Sequence, residues 1–172
     1  MSLSFYETSV GTYQQILSST ANVLDKGAAH AEEQGIDPQS LVEARLQEDM
    51  MPLHFQVVST CHHSLGALRG MQSGQFAPPS FELDHDYAGL VAMVRDAQAA
   101  IDALSEADVN ALEDGSLVFS LGARELPFTN RNFLMTFSLP NFYFHATTTY
   151  DILRANGVSL GKMDYLGQIR VG

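Results

Sequence analysis

Asn141, His145 and Thr148 stand at i, i+4 and i+7 in a run whose neighbouring positions at the same spacing are Leu134, Phe137, Phe144 and Ile152. Spacings of three and four put all of them on one helical face. Polar groups on such a face need partners, because an unpaired buried one costs roughly 1–3 kcal/mol. An i, i+4 pair suits two metal ligands on one face, although Asn is a poor ligand for zinc or nickel. The plainer arrangement is a core histidine hydrogen-bonded to Asn141, a hydroxyl or a water. A second imidazole, His54, lies on the apolar stripe of an earlier segment, and His62 borders that stripe beside Val58 and Leu65. His63 falls with Gln56, Ser59 and Gly70 on the outer side. Asn141, His145 and Thr148 are therefore the candidates for holding a ligand, and His54 with His145 the candidates for a metal. Two imidazoles alone bind weakly, so a zinc or nickel ion is expected to be loosely held unless His62 joins them.

The elements that position these residues read as four helices and a hairpin. Tyr6, Val10, Tyr13, Leu17, Ala21, Leu24 and Ala28 mark a long amphipathic helix over 4–33, capped by Ser4 or Ser2 and ended near Gly35. Asp37-Pro38 starts a second over 38–70, interrupted at Pro52. The loop 72–86 is pinned by Phe76 and Phe81, and Asp84 or Asp86 caps a third helix over 86–104. Ser105 and Asp108 suggest a helical turn. Alternation around Gly122 predicts a β-hairpin at 117–128, with Pro127 confined to an edge. Thr129 caps the fourth helix, 130–155, where Pro140 predicts a kink or a fresh start capped by Ser138. From Val158 the tail reads as extended. Phe133, Phe142, Tyr143 and Tyr150 point away from the His145 face, and surplus apolar surface of this kind predicts a homodimer.

At 172 residues the chain is expected to form one domain, 1–172, able to bury a real core. A formal net charge of −11 argues against nucleic acid or an anionic membrane as partner. The lone Cys61 excludes an internal disulfide and a Cys-rich metal site. With no apolar run of spanning length and no basic-then-apolar start, a cytoplasmic location is the expectation. No phosphate-binding glycine loop, Gly-x-Ser-x-Gly elbow or His-Glu-x-x-His motif occurs.

Four helices with a hairpin before the last make an up-down helix bundle. The segments LPNFYFHATTTYDILRANGV, LGKMDYLG, GARELPFTNRNFLMTFSLPNFYFH and DMMPL resemble an uncharacterised bacterial family, a domain of unknown function. That family is similar in pattern to the DinB/YfiT-like superfamily. The resemblance implies a mainly α, DinB/YfiT-like bundle and a link to metalloenzymes, among them thiol S-transferases and a maleylpyruvate isomerase. Those hold a divalent metal by one His on the second helix and an i, i+4 His pair on the fourth. Residue by residue, His145 matches the second member of the pair, Asn141 stands where the first would be, and Thr148 replaces a usual Gln. His54 is the best-placed second-helix residue, with His62 next. The expected function is a non-catalytic module that binds a small apolar or thiol ligand or serves as a dimeric interaction unit. The alternative is a divergent divalent-metal-dependent enzyme of the S-transferase or isomerase type.

Overall fold

The computed structural model describes residues 3–82 and 84–171; Ser2, the alternative first cap, lies outside them. Helix α1, Phe5–Gln34, begins at a Ser4–Glu7 capping box and ends on Gly35 in the left-handed conformation. The expected 38–70 helix is corrected. It divides into a single turn, α2, Gln39–Val42, and a long helix, α3, over 53–73. Pro52 is the reason: its backbone is extended (ψ 172°) at the N-cap of α3, so the helix starts afresh after it. The third helix, α4, Tyr87–Asp102, is capped by Asp86, and the short α5, Glu106–Asn110, by Ser105. The hairpin forms from β2, Ser116–Leu121, and β3, Arg124–Thr129, around Gly122 at φ 58°. A short strand, β1, Gln75–Phe76, which the alternation did not reveal, pairs in parallel with β2. The sheet order β1-β2-β3 leaves Pro127 on the edge strand.

The last long helix, α6, spans 130–155 and begins at the Thr129 cap. Neither a break nor a cap forms at Pro140. A π-turn over Leu134–Ser138 absorbs it, and the Leu139 N–H reaches back to the Leu134 carbonyl. Helix α3 carries a matching π-turn at His62–Gly66. The tail is also corrected: Lys162–Leu166 is a short helix, α7, packed on α1. Asp164 accepts the Gly161 N–H and pairs with Lys26 of α1, which holds that turn down.

Directions follow from side chains. Tyr87 donates to the Leu24 carbonyl at 2.7 Å and Gln14 to Asp102 at 2.9 Å, so α1 and α4 are antiparallel. Asn130 reaches the Met71 carbonyl while Gln56 meets His145, so α3 and α6 are antiparallel. Tyr13 edges onto Phe142 at 4.9 Å while Gly27 meets Leu153, so α1 and α6 are parallel. The bundle thus runs up, down, down, up. Residues 74–82 and 84–86 make this possible by lying back along α3: Ala77 lies against His62, Phe81 on Phe55, and Asp84 and His85 against His54.

Buried apolar side chains form one cluster. Phe133 and Phe142, expected to face away from the interior, are 0% exposed. They are covered because α6 packs against both α1 and α3 and meets the sheet: Phe142 touches Tyr13, and Phe133 touches Phe76 and Phe128. Tyr150 is half-buried, its ring near Tyr165 of α7. Phe144, expected to face inward, is 56% exposed. No helix among the described residues is long and apolar enough to cross a membrane.

Candidate functional site

The polar residues collect in the seam between α3 and α6. Gln56, Ser59 and His63 all lie on the α6-facing side of α3 and are buried, which corrects their assignment, with Gly70, to the outer side. Helix α3 has α6 on one flank and α4 on the other, so a face that looks polar in sequence is covered by protein.

Gln56 organises the seam. Its Nε2 donates to the Met51 carbonyl at 2.9 Å, which fixes the amide, so its Oε1 must face His145. His145 Nδ1 lies 2.8 Å from that oxygen and therefore carries the hydrogen. Nε2 is left as a bare acceptor. His145 is 9% exposed, and burial, aided by the nearby His62, pushes its pKa down to about 4, so the ring is neutral near pH 7. Phe55 and Phe144 both set their rings edge-on to the imidazole, at 5.8 and 5.3 Å. Phe81, 63% exposed, stacks on Phe55 at 5.1 Å. Phe55 and Phe144 thus form an aromatic rim beside His145, with Phe81 outside Phe55.

Behind this ring lies His63, nearly parallel to it at 6.0 Å between centroids. Burial, then the two neighbouring imidazoles, lowers its pKa to about 3. Its Nδ1 and the Ser59 hydroxyl are buried with no hydrogen-bond partner among the described residues. Ser138 of the second π-turn donates to the His63 carbonyl at 2.8 Å and lies 3.3 Å from the Tyr13 hydroxyl. The two π-turns therefore meet at Ser138 and His63.

The other predicted residues are placed differently. Asn141 donates back to the Phe137 carbonyl and Thr148 to the Phe144 carbonyl, so both hydroxyl and amide hydrogens serve their own helix. His54 is buried beside the returning segment. Its Nε2 accepts the His85 N–H at 3.3 Å, with Asp84 Oδ1 at 3.4 Å. The structure thus brings His145 to Gln56 and His63, and gives His54 a separate set of partners. From the sequence Gln56 and His63 read as outer-face residues, Phe81 only as a loop anchor, and Phe55 carried no signal; an i, i+3, i+7 polar row on α3, facing a polar row on α6, was the available signal.

A three-histidine divalent centre does not fit these residues. No group of three or more His, Cys, Asp or Glu among the described residues stands together as an ion site. His63 and His145 present parallel faces to each other, so their nitrogens do not converge on one point.

No curated protein matches the chain. Among solved structures, it is similar to a DinB family member protein from Shewanella denitrificans, with 27% identity and a TM-score of 0.80 over 97% of this chain and 94% of that one. The likeness supports the DinB-like helical bundle. A family model described as "Domain of unknown function (DUF1993)" matches residues 5–166, and the chain accordingly belongs to the DUF1993 family.

Proposed function

We propose that the protein is a non-catalytic small-ligand-binding module whose centre is the bare Nε2 of His145 beneath Phe55, Phe81 and Phe144. The observation that carries this is the Met51–Gln56–His145 chain, which holds one tautomer and leaves Nε2 a neutral acceptor on a ring flanked by Phe55 and Phe144. A flat apolar molecule with one hydrogen to donate is the matching ligand. Asn141 and Thr148, one turn away on either side, border the same site. Titrating the protein with indole, followed by ¹⁵N resonances of the histidine rings, tests it. The His145 Nε2 signal is expected to move saturably. A His145 signal that stays fixed at millimolar indole refutes the reading.

The same bare Nε2 is the form of imidazole that ligates a metal. Together with the likeness to a DinB family member, it keeps a divergent metal-dependent S-transferase or isomerase as the second reading. Near-stoichiometric zinc or nickel in untagged protein, lost on His145→Ala, would make that reading the leading one. A homodimer through α6 is part of the proposal, since Met135 and Tyr143 remain exposed along it. Light scattering at high micromolar concentration is expected to give the dimer mass, and a monomer mass removes the dimer.

A further inference from the structure

The opposite flank of α3 holds a second opening. Helices α3 and α4 run parallel, and the small residues Gly89, Ala92, Ala97 and Ala100 on α4 leave a groove of about 730 Å³ between them, which Pro79 and Ser80 also line. Its walls are largely apolar, with Val58, Cys61 and Leu65 facing Met93. Polar side chains interrupt them: His62 and Arg69 on α3, Asp96 on α4, and Ser80 and His85 from the segment that precedes α4.

His62 Nε2 lies 2.7 Å from the Ala77 carbonyl. A carbonyl only accepts, so Nε2 carries the hydrogen and Nδ1 is bare. That nitrogen lies beneath Gly66, where an added Cβ would come within 3.1 Å of it. Both residues belong to the α3 π-turn, a local widening that recurs at functional sites. Glycine at this position leaves the acceptor uncovered. Burial keeps this ring neutral as well, lowering its pKa.

Arg69 is exposed and has no hydrogen-bonding or ion-pair partner among the described residues. At seven residues from His62, it stands roughly 10 Å further along the helix, at 1.5 Å per residue. The groove therefore offers an acceptor, an apolar stretch and a cation in that order.

We infer that the α3–α4 groove binds a small organic acid with an apolar body, which donates a hydroxyl or N–H hydrogen to His62 Nδ1 and sets its acid group on Arg69. Asp96, on the α4 wall, disfavours a second negative charge and so selects monoacids. This site lies on the other side of α3 from His145 and is independent of the indole reading.

Calorimetric titration with 3-(4-hydroxyphenyl)propanoate tests the inference, with 3-phenylpropanoate and 4-propylphenol as analogues lacking one end each. The full acid is expected to bind at least about tenfold more tightly than either analogue, the usual worth of one charge-assisted or well-placed hydrogen bond. Arg69→Gln is expected to reduce the full acid to the affinity of 4-propylphenol and to leave 4-propylphenol unchanged. Gly66→Ala is expected to erase the preference for the hydroxyl, because the methyl covers Nδ1. Because a flat phenol also matches the ligand described for His145, the titrations are repeated on the His145→Ala variant, where the effects of Arg69→Gln and Gly66→Ala are expected to persist. Absence of binding at millimolar acid, or equal affinities for the three compounds, overturns the site. Should Gly66→Ala melt early, the Arg69→Gln comparison decides by itself, since that side chain is exposed.

Discussion

Replacing Gln56 by Leu keeps its approximate volume and removes both of its hydrogen bonds. His145 Nδ1–H is then stranded in the seam, and the Met51 carbonyl loses its donor. A stranded buried polar group costs about 1–3 kcal/mol; Met51 is only half-buried and adds about 1 kcal/mol, so the sum is roughly 2–4 kcal/mol. His145→Leu strands Gln56 Oε1 instead, for about 1–3 kcal/mol. The double substitution strands neither member of the pair. Its cost is expected to fall short of the two single costs together by about 2–3 kcal/mol, the sum of the two smaller stranding costs and the upper part of the range for directly contacting residues. Urea unfolding of the four proteins, compared through midpoint and slope, measures this. Costs that add to within about 0.5 kcal/mol, as distant residues do, would refute the claim that Gln56 holds the His145 tautomer.

Acid should destabilise the fold through its histidines. The pKa values of His63 and His145 lie near 3 and 4 in the native protein, lowered mainly by burial. The unfolded chain therefore binds more protons below its ordinary value of about 6.5. Their contribution is complete above that value and is lost as pH falls toward 4 and then 3, at up to about 1.4 kcal/mol per pH unit for each ring. A urea midpoint that is flat from pH 7 to 5 contradicts this. Gly27→Ala in α1 is expected to destabilise by about 1–3 kcal/mol, the usual cost of overpacking, although Ala is the better helix former. The new Cβ would run into the Tyr87 hydroxyl that bonds the Leu24 carbonyl; a raised melting temperature counts against that contact.

Local chemistry and period alone determined much of this protein. Ser4, Asp86, Ser105 and Thr129 start helices because each side chain accepts an early orphan N–H. Gly122 turns the hairpin because it adopts a positive φ freely. The stripe carrying His145 runs along the inner side of α6, where Leu134 and Ile152 are buried with it. Tertiary structure decided the rest. Periodicity assumes one buried face for each helix, but α3 lies between α4 and α6. Its row of Gln56, Ser59 and His63, solvent-like in type, is therefore the partner surface for His145. Which histidine meets which was settled by the π-turns and by the residues before α4 that return along α3. The π-turns shift the register of α3 and α6, and the segment places Asp84 and His85 on His54. None of these leaves a periodic mark in the chain, because each depends on what packs alongside.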